Sequence, residues 1–226
     1  MTIESNIEKV KQEIKESCQK VGRSTDEITL IAVTKYVTIE QTKEVIDAKI
    51  VNIAENRLEG LTKKQAACTN EDVIWHFIGN LQSRKVKDIV DKMDYFHALD
   101  RLSIAKEINK RAKRRIPCFV QVNVSGEKTK NGIAPNEVES FIESLADFPN
   151  VEVVGLMTMA PYTDDQIILR QVFRKLRELR DYIVGKNYPH APCQGLSMGM
   201  SHDYKIAIEE GATHIRIGNR IVGTEG

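Results

Sequence analysis

The sequence contains no run of 18 apolar residues, so it offers no candidate for a membrane-spanning helix. Its opening residues, MTIESNIEKVKQEIKE, are too charged to form the apolar core of a secretion signal. A charge excess is missing as well. The 33 basic and 32 acidic side chains leave a net of +1, a balance that demands neither a polyanion nor a membrane surface as partner. Four cysteines (Cys18, Cys68, Cys118 and Cys193) lie far apart, with no CxxC pair and no histidine at metal-ligand spacing. That pattern excludes the common zinc signatures and is expected of reduced thiols in a cytoplasmic protein. No internal repeat or low-complexity tract interrupts the 226 residues, which are enough to bury a substantial core.

What is present is alternation. Ile3, Ile7, Val10, Ile14, Cys18 and Val21 recur at three- and four-residue steps, predicting an amphipathic helix over the first 22 residues that Gly22 stops. Strand-like runs follow at 28–35, 50–56, 75–79, 95–99, 117–124, 151–159, 195–201 and 214–218. Helical patterns at 39–49, 102–115, 135–146 and 166–184 lie between them. Strict strand–helix alternation calls for a parallel sheet, because parallel neighbours need a crossover connection. Eight strands without a linker favour a closed (β/α)8 barrel with an extra N-terminal helix, one domain over 1–226, rather than an open doubly wound sheet. EKTKNG at 127–132 reads as a surface loop. KRAKRR at 110–115 reads as a solvated helix end, and the basic residues between Arg170 and Arg180 as the wet face of an outer helix whose stripe is Leu169, Val172, Phe173, Leu176 and Leu179. Neither cluster points to nucleic acid.

In such a barrel the C-terminal strand ends build the site, with phosphate commonly held after strands seven and eight. The first strand, in LIAVTKYVT at 30–38, ends near Lys35, which shares a face with Ile31 and Val33. A lysine there is either a surface residue or a reactive amine at a pocket mouth; among apolar walls its charged form is disfavoured, and the neutral amine can attack a carbonyl. After strand seven, SMGMSHD at 197–203 places Ser201 or Asp203 as the cap of a helix ended by Gly211, with Gly199 expected to let backbone approach a ligand. Strand eight reads HIRIGN: Ile215 and Ile217 share one face, so His214, Arg216 and Gly218 face the interior. A guanidinium inside a barrel needs a carboxylate from a neighbouring strand or an anion or acceptor on a ligand. Gly218 and Asn219 add backbone donors opposite the first cradle. An amine, an inward arginine and two phosphate cradles together suit pyridoxal 5′-phosphate (PLP), with Arg216 at the pyridine nitrogen. A Schiff-base aldolase acting on sugar phosphates would use the same lysine and leave Arg216 without a task.

The chain also resembles the pyridoxal phosphate homeostasis protein family, which shares the fold-type III barrel of alanine racemase. The resemblance rests on AVTKY (32–36), AENRLE (54–59), WHFIGNLQSRK (75–85), QVNVSGEKTKNG (121–132), GLMTMAP (155–161), SMGMSHD (197–203) and RIGNRIVG (216–223). It implies that Lys35 holds PLP as a Schiff base, that Arg216 faces the ring nitrogen, and that Ser201, Gly218 and Asn219 hold the phosphate. Met200, in the same turn as Ser201, is counted with the cofactor-binding residues, and Asn56 is placed beside the cofactor on the family's authority alone. The sequence departs from the family pattern at Arg84, where asparagine is usual, at Thr129, where serine is, and at Asn219, where serine or threonine is. Members are regarded as carriers and buffers of vitamin B6 without an established reaction, with apo-enzymes as possible recipients. Racemases of this fold need a second base, supplied by a C-terminal β-domain of a partner subunit. This chain, ending at Gly226, is expected to lack that domain and to be a monomer. Tyr36 is expected to point away from the lysine's face, leaving His76 and His202 as alternative bases for a racemase-like enzyme.

Overall fold

The computed structural model describes residues 2–69, 72–127 and 129–223. Helix α1 (Ile3–Lys20) starts at Thr2, whose side chain accepts the Ser5 amide, and buries Ile3, Ile7, Val10, Ile14 and Cys18. The alternation then runs β1 (Thr29–Val33), α2 (Ile39–Asp47), β2 (Asn52–Glu55), α3 (Leu58–Ala67), β3 (Ile74–Phe77), α4 (Val86–Ile89), β4 (Tyr95–Leu99), α5 (Leu102–Arg111) and β5 (Ile116–Gln121). It continues with α6 (Val138–Ser144), β6 (Val151–Met157), α7 (Gln166–Gly185), β7 (Gly195–Ser197), α8 (Tyr204–Glu209), β8 (His214–Ile217) and α9 (Asn219–Val222). The eight strands close in sequence order into a barrel in which each neighbour is parallel. This is the expected (β/α)8 architecture with an extra helix in front.

Most strands are shorter than their apolar runs. The predicted 28–35 strand ends at Val33, and the 195–201 strand at Ser197, because the chain turns there to build the mouth. The 102–115 helix likewise stops at Arg111; Lys113, Arg114 and Arg115 lie beyond it and pair with Asp91, Asp94 and Glu152.

Outward-facing strand residues such as Ala32, Ile53, Phe96, Val120, Leu196, Ile215 and Ile217 are buried against the helices. Each large apolar side chain among them contributes roughly 1.5–3 kcal/mol by leaving water. The interior is of another character. Ile31, Val33 and Ala54 form a small apolar cluster with Ile78 near the mouth, while His76, His97, Ser197 and Arg216 are buried polar residues deeper in. The Phe119 ring fills the space between β6 and β7. A Cβ on Gly155 would come 2.7 Å from that ring and one on Gly195 2.8 Å, so both strands must be bare there.

Helix α1 packs on α8, α9 and α2. Asn6 donates to the Ile221 carbonyl at 3.0 Å, and Glu13 accepts from Arg220 at 2.6 Å and from the Tyr204 hydroxyl. The extra helix thereby fixes the two short helices that follow β7 and β8. Behind α8, Arg170, Arg174 and Arg177 of α7 converge on Glu210, which is 4% exposed; Arg170 also meets Glu209. The face predicted to be merely wet is an ionic clamp between α7 and the end of α8.

Candidate functional site

At the C-terminal ends of the strands lies a cavity of about 450 Å³, a size suited to a small ligand. All seven residues singled out from the sequence line it: Lys35, Asn56, Met200, Ser201, Arg216, Gly218 and Asn219. Val33 and Ile78 supply its apolar wall, and Gln121 and Asn131 border it from the β5 side. Asn131 belongs to the predicted surface loop and is exposed; its carbonyl also accepts from Gln121 at 3.2 Å, which ties the end of that loop to the wall. Thr129 of the same loop is exposed.

Lys35 sits in the turn after β1, and the turn is anchored from below. The Lys64 ammonium donates to the Thr34 carbonyl and lies 2.6 Å from Glu55 Oε1, while the Thr34 hydroxyl donates to the same oxygen at 2.6 Å. Glu55 and Lys64 are 1% and 5% exposed, an ion pair held in the core where breaking it is costly. The enclosure expected for Lys35 is absent: the side chain is exposed, because β1 has ended two residues earlier and the turn carries it over the rim. Its Nζ stands 4.9 Å from the centre of the Tyr36 ring. Tyr36 therefore does not point to the opposite side. Strand parity no longer applies in the turn, and the two side chains border a second cavity of about 260 Å³ that also touches Gly218 and Asn219.

Arg216 lies inside the barrel, 4% exposed. Nη1 donates to Ser197 Oγ at 2.5 Å and Nη2 to the Thr158 carbonyl at 3.1 Å. Among the described residues no carboxylate lies within ion-pair distance of it, so the interstrand ion pair allowed by the sequence is not formed. Burial pulls its guanidinium down to about 10, against the distant attraction of Asp203, so it remains a cation at neutral pH. A buried cation satisfied by a hydroxyl and a carbonyl retains donors for a ligand in the cavity it borders.

Of the two candidates for the helix start, Asp203 holds the cap position and Ser201 does not. The Ser201 hydroxyl accepts the Gly218 amide at 3.3 Å and so ties the β7 turn to the β8 turn. Asp203 sits at the cap position, and its Oδ1 accepts the Met200 amide at 2.6 Å. Burial pushes the Asp203 carboxyl up despite that bond, and His202 Nε2 lies 3.3 Å from its other oxygen. Among the described residues the amides of Ser201 and Asn219 have no hydrogen-bond acceptor. Gly199 has a different task from the one expected. Its φ is +95°, and a Cβ there would lie 2.6 Å from Ala207 Cβ, so the glycine allows α8 to pack close rather than a ligand. Gly218 does leave room: a Cβ there would meet nothing nearer than the Val33 carbonyl oxygen at 3.5 Å. Asn56 Oδ1 is buried without a hydrogen-bond partner, which a native fold tolerates where a ligand supplies the donor.

The two alternative bases part company. His76 is 1% exposed in the barrel interior and does not reach the cavity, whereas His202 lines it beneath the ring of Tyr162, 5.0 Å away. Arg84 is exposed and donates to Gln82 at 3.0 Å. Its motif reaches the cavity through Ile78, Gly79 and Asn80 instead, so the departure at this position lies outside the site. Sequence reasoning missed Glu55, Lys64, Ser197 and His97. For His97 and Ser197 the signal available was a polar residue at an inward position of an otherwise apolar strand; Glu55 faces outward and Lys64 lies on helix α3, and neither carried such a signal.

Residues 3–226 match the family model of the alanine racemase N-terminal domain. The chain is 41% identical over 220 residues to the pyridoxal phosphate homeostasis protein of Aquifex aeolicus, covering 96% of each chain. It is 36% identical over 226 residues to the protein of the same name from Pseudomonas aeruginosa, covering 98% of this chain and 95% of that one. Its fold is similar to that of PipY from Synechococcus elongatus with PLP bound, at a TM-score of 0.81 and 28% identity, covering 93% of this chain and all of the other. With that fold and these relatives, the chain belongs to the pyridoxal phosphate homeostasis protein family, on the barrel of the alanine racemase N-terminal domain.

Proposed function

We propose that the chain binds pyridoxal 5′-phosphate in this cavity and takes part in holding, buffering and delivering it. The observation that carries the reading is Arg216, a buried guanidinium without a carboxylate, sharing one cavity with the Lys35 amine and the unpartnered Asn56 oxygen. When bound, the cofactor supplies an aldehyde for an amine and a ring that can draw electrons. The Lys35 amine would be the attachment point for that aldehyde, and its place on the rim suits a cofactor that must be released. Arg216 would hold the ring nitrogen, and a guanidinium donating there would keep that nitrogen unprotonated and weaken the ring as an electron sink. The amides of Ser201 and Asn219, with Gly218 and Met200 beside them, receive the phosphate, where oriented backbone N–H groups favour an anion. Asn56 Oδ1 accepts from a donor on the ligand.

Relatives at 41% and 36% identity carry the homeostasis name, and PipY has been seen with PLP bound; these support the same assignment here. The reading assigns the chain no reaction of its own, a monomeric state, a cytoplasmic site of action and apo-enzymes as recipients. Titrating purified protein with PLP is expected to produce a visible absorbance band that Lys35→Ala abolishes. A wild-type protein that stays colourless would overturn it. Exchange of amino-acid Cα hydrogen for deuterium at a useful turnover rate, lost in Lys35→Ala, would replace the carrier role with an enzyme.

A further inference from the structure

Arg216 is the end of a buried chain of hydrogen bonds that runs down the barrel away from the cavity. Ser197 Oγ, which receives Arg216 Nη1, lies 2.8 Å from His97 Nδ1. His97 Nε2 is 2.9 Å from His76 Nδ1, and His76 Nε2 is 3.0 Å from Asn52 Oδ1 at the start of β2. Five residues from five elements, β8, β7, β4, β3 and β2, are thus linked in single file.

The direction of this chain follows from its end group. A guanidinium only donates, so Ser197 Oγ accepts from it and has one proton left to give. His97 Nδ1 is the acceptor within reach, which puts the His97 proton on Nε2. That proton points at His76 Nδ1, so His76 in turn carries its proton on Nε2 and gives it to Asn52 Oδ1. The opposite polarity would bring two donors to Ser197 and leave its own proton with no acceptor among the described residues. Both imidazoles must be neutral for the chain to exist. Burial supplies that: His97 and His76 are 0% and 1% exposed, His97 is held well below the ordinary histidine range, and His76 at about 3. The rings are also fixed in plane, His97 stacked on Phe119 at 4.4 Å and His76 on Tyr95 at 4.8 Å.

We propose that His97 and His76 are positioning residues for Arg216: through the Ser197 hydroxyl they hold its guanidinium in one orientation toward the cofactor. Neither borders the cavity. The inference rests on the reading of Arg216 as the ring-nitrogen contact, but the polarity of the chain is independent of any ligand.

Two measurements test it. Imidazole nitrogen-15 NMR of the protein without PLP, at neutral pH, is expected to show both histidines neutral with the proton on Nε2. An Nδ1 proton or a cationic ring at either position overturns the chain. Titration with PLP is then compared for wild type, His97→Phe and His76→Phe, each ring replacement keeping the stack. Both variants are expected to shift the maximum of the visible band and weaken PLP binding about tenfold, the scale of one hydrogen bond to a charged group. A purely structural role would lower the melting temperature and leave band and affinity unchanged; that outcome overturns the proposal. Should one variant fail to fold, the other and the tautomers decide. A wild type with the expected tautomers that never binds PLP would instead refute the cofactor reading and, with it, the role assigned to the histidines.

Discussion

At the scale of single residues the site is two cations of opposite character. Lys35 is exposed on a turn, with its amine at the rim of the cavity; Arg216 is enclosed, held by Ser197 and Thr158, and unable to leave its charge behind. Burying a guanidinium beside neutral acceptors is unfavourable without a ligand, and strain of that kind gathers at binding sites. Arg216→Met keeps much of the volume and removes the donors. It is expected to weaken PLP binding by about ten- to a hundredfold, corresponding to about 1.5–3 kcal/mol for a charged hydrogen bond, and to shift the visible maximum. An unchanged spectrum in a folded variant would remove the arginine from the site. Arg216 was legible in the sequence because inward parity on β8 needs only alternation, and Lys35 because it follows directly on the apolar run of β1. The exposure of Lys35 was not, since it depends on where β1 stops, and Thr34 leaves the strand to meet Glu55 and Lys64.

At the scale of elements, the strands and helices could be read from their periods, while their ends and their partners could not. Lys64 is one turn from the end of α3 and looks in sequence like any surface lysine, yet it is buried against Glu55 nine residues before it. The His97–Ser197 contact joins residues 100 apart, which no local pattern can reveal. The buried Glu55–Lys64 pair sets the turn that presents Lys35. Lys64→Met leaves the Glu55 carboxylate in the core without its counter-ion and should cost about 3–5 kcal/mol, measured by denaturant unfolding. Glu55→Gln combined with Lys64→Met should recover most of that loss. A single variant within about 1 kcal/mol of wild type would show that the pair does not brace the turn.

At the scale of the whole molecule, the barrel interior is a column of neutral histidines, and this sets the response to acid. Burial holds His76 at about 3 and His214 at about 4, and His97 low as well, with Arg216 opposing a charge on both His97 and His214. In the unfolded chain each titrates near 6.5. Above that value neither state binds a proton there and stability is intact. As the pH falls below 6.5 the unfolded chain gains protons that the folded one refuses, so stability declines steadily down to about pH 4. Thermal melting is expected to drop already between pH 6.5 and 5, before carboxylates titrate; a flat melting temperature across that window would contradict the neutral column. The whole fold also serves one encounter, since closing β8 against β1 brings Arg216 opposite Ile31, four residues before Lys35. The most direct test of that convergence is to mix the protein with PLP, reduce with borohydride and map the labelled peptide. The account predicts a pyridoxyl phosphate group on Lys35 that is much reduced in Arg216→Met at limiting PLP. Label scattered over several surface lysines, or absent from Lys35, would contradict it.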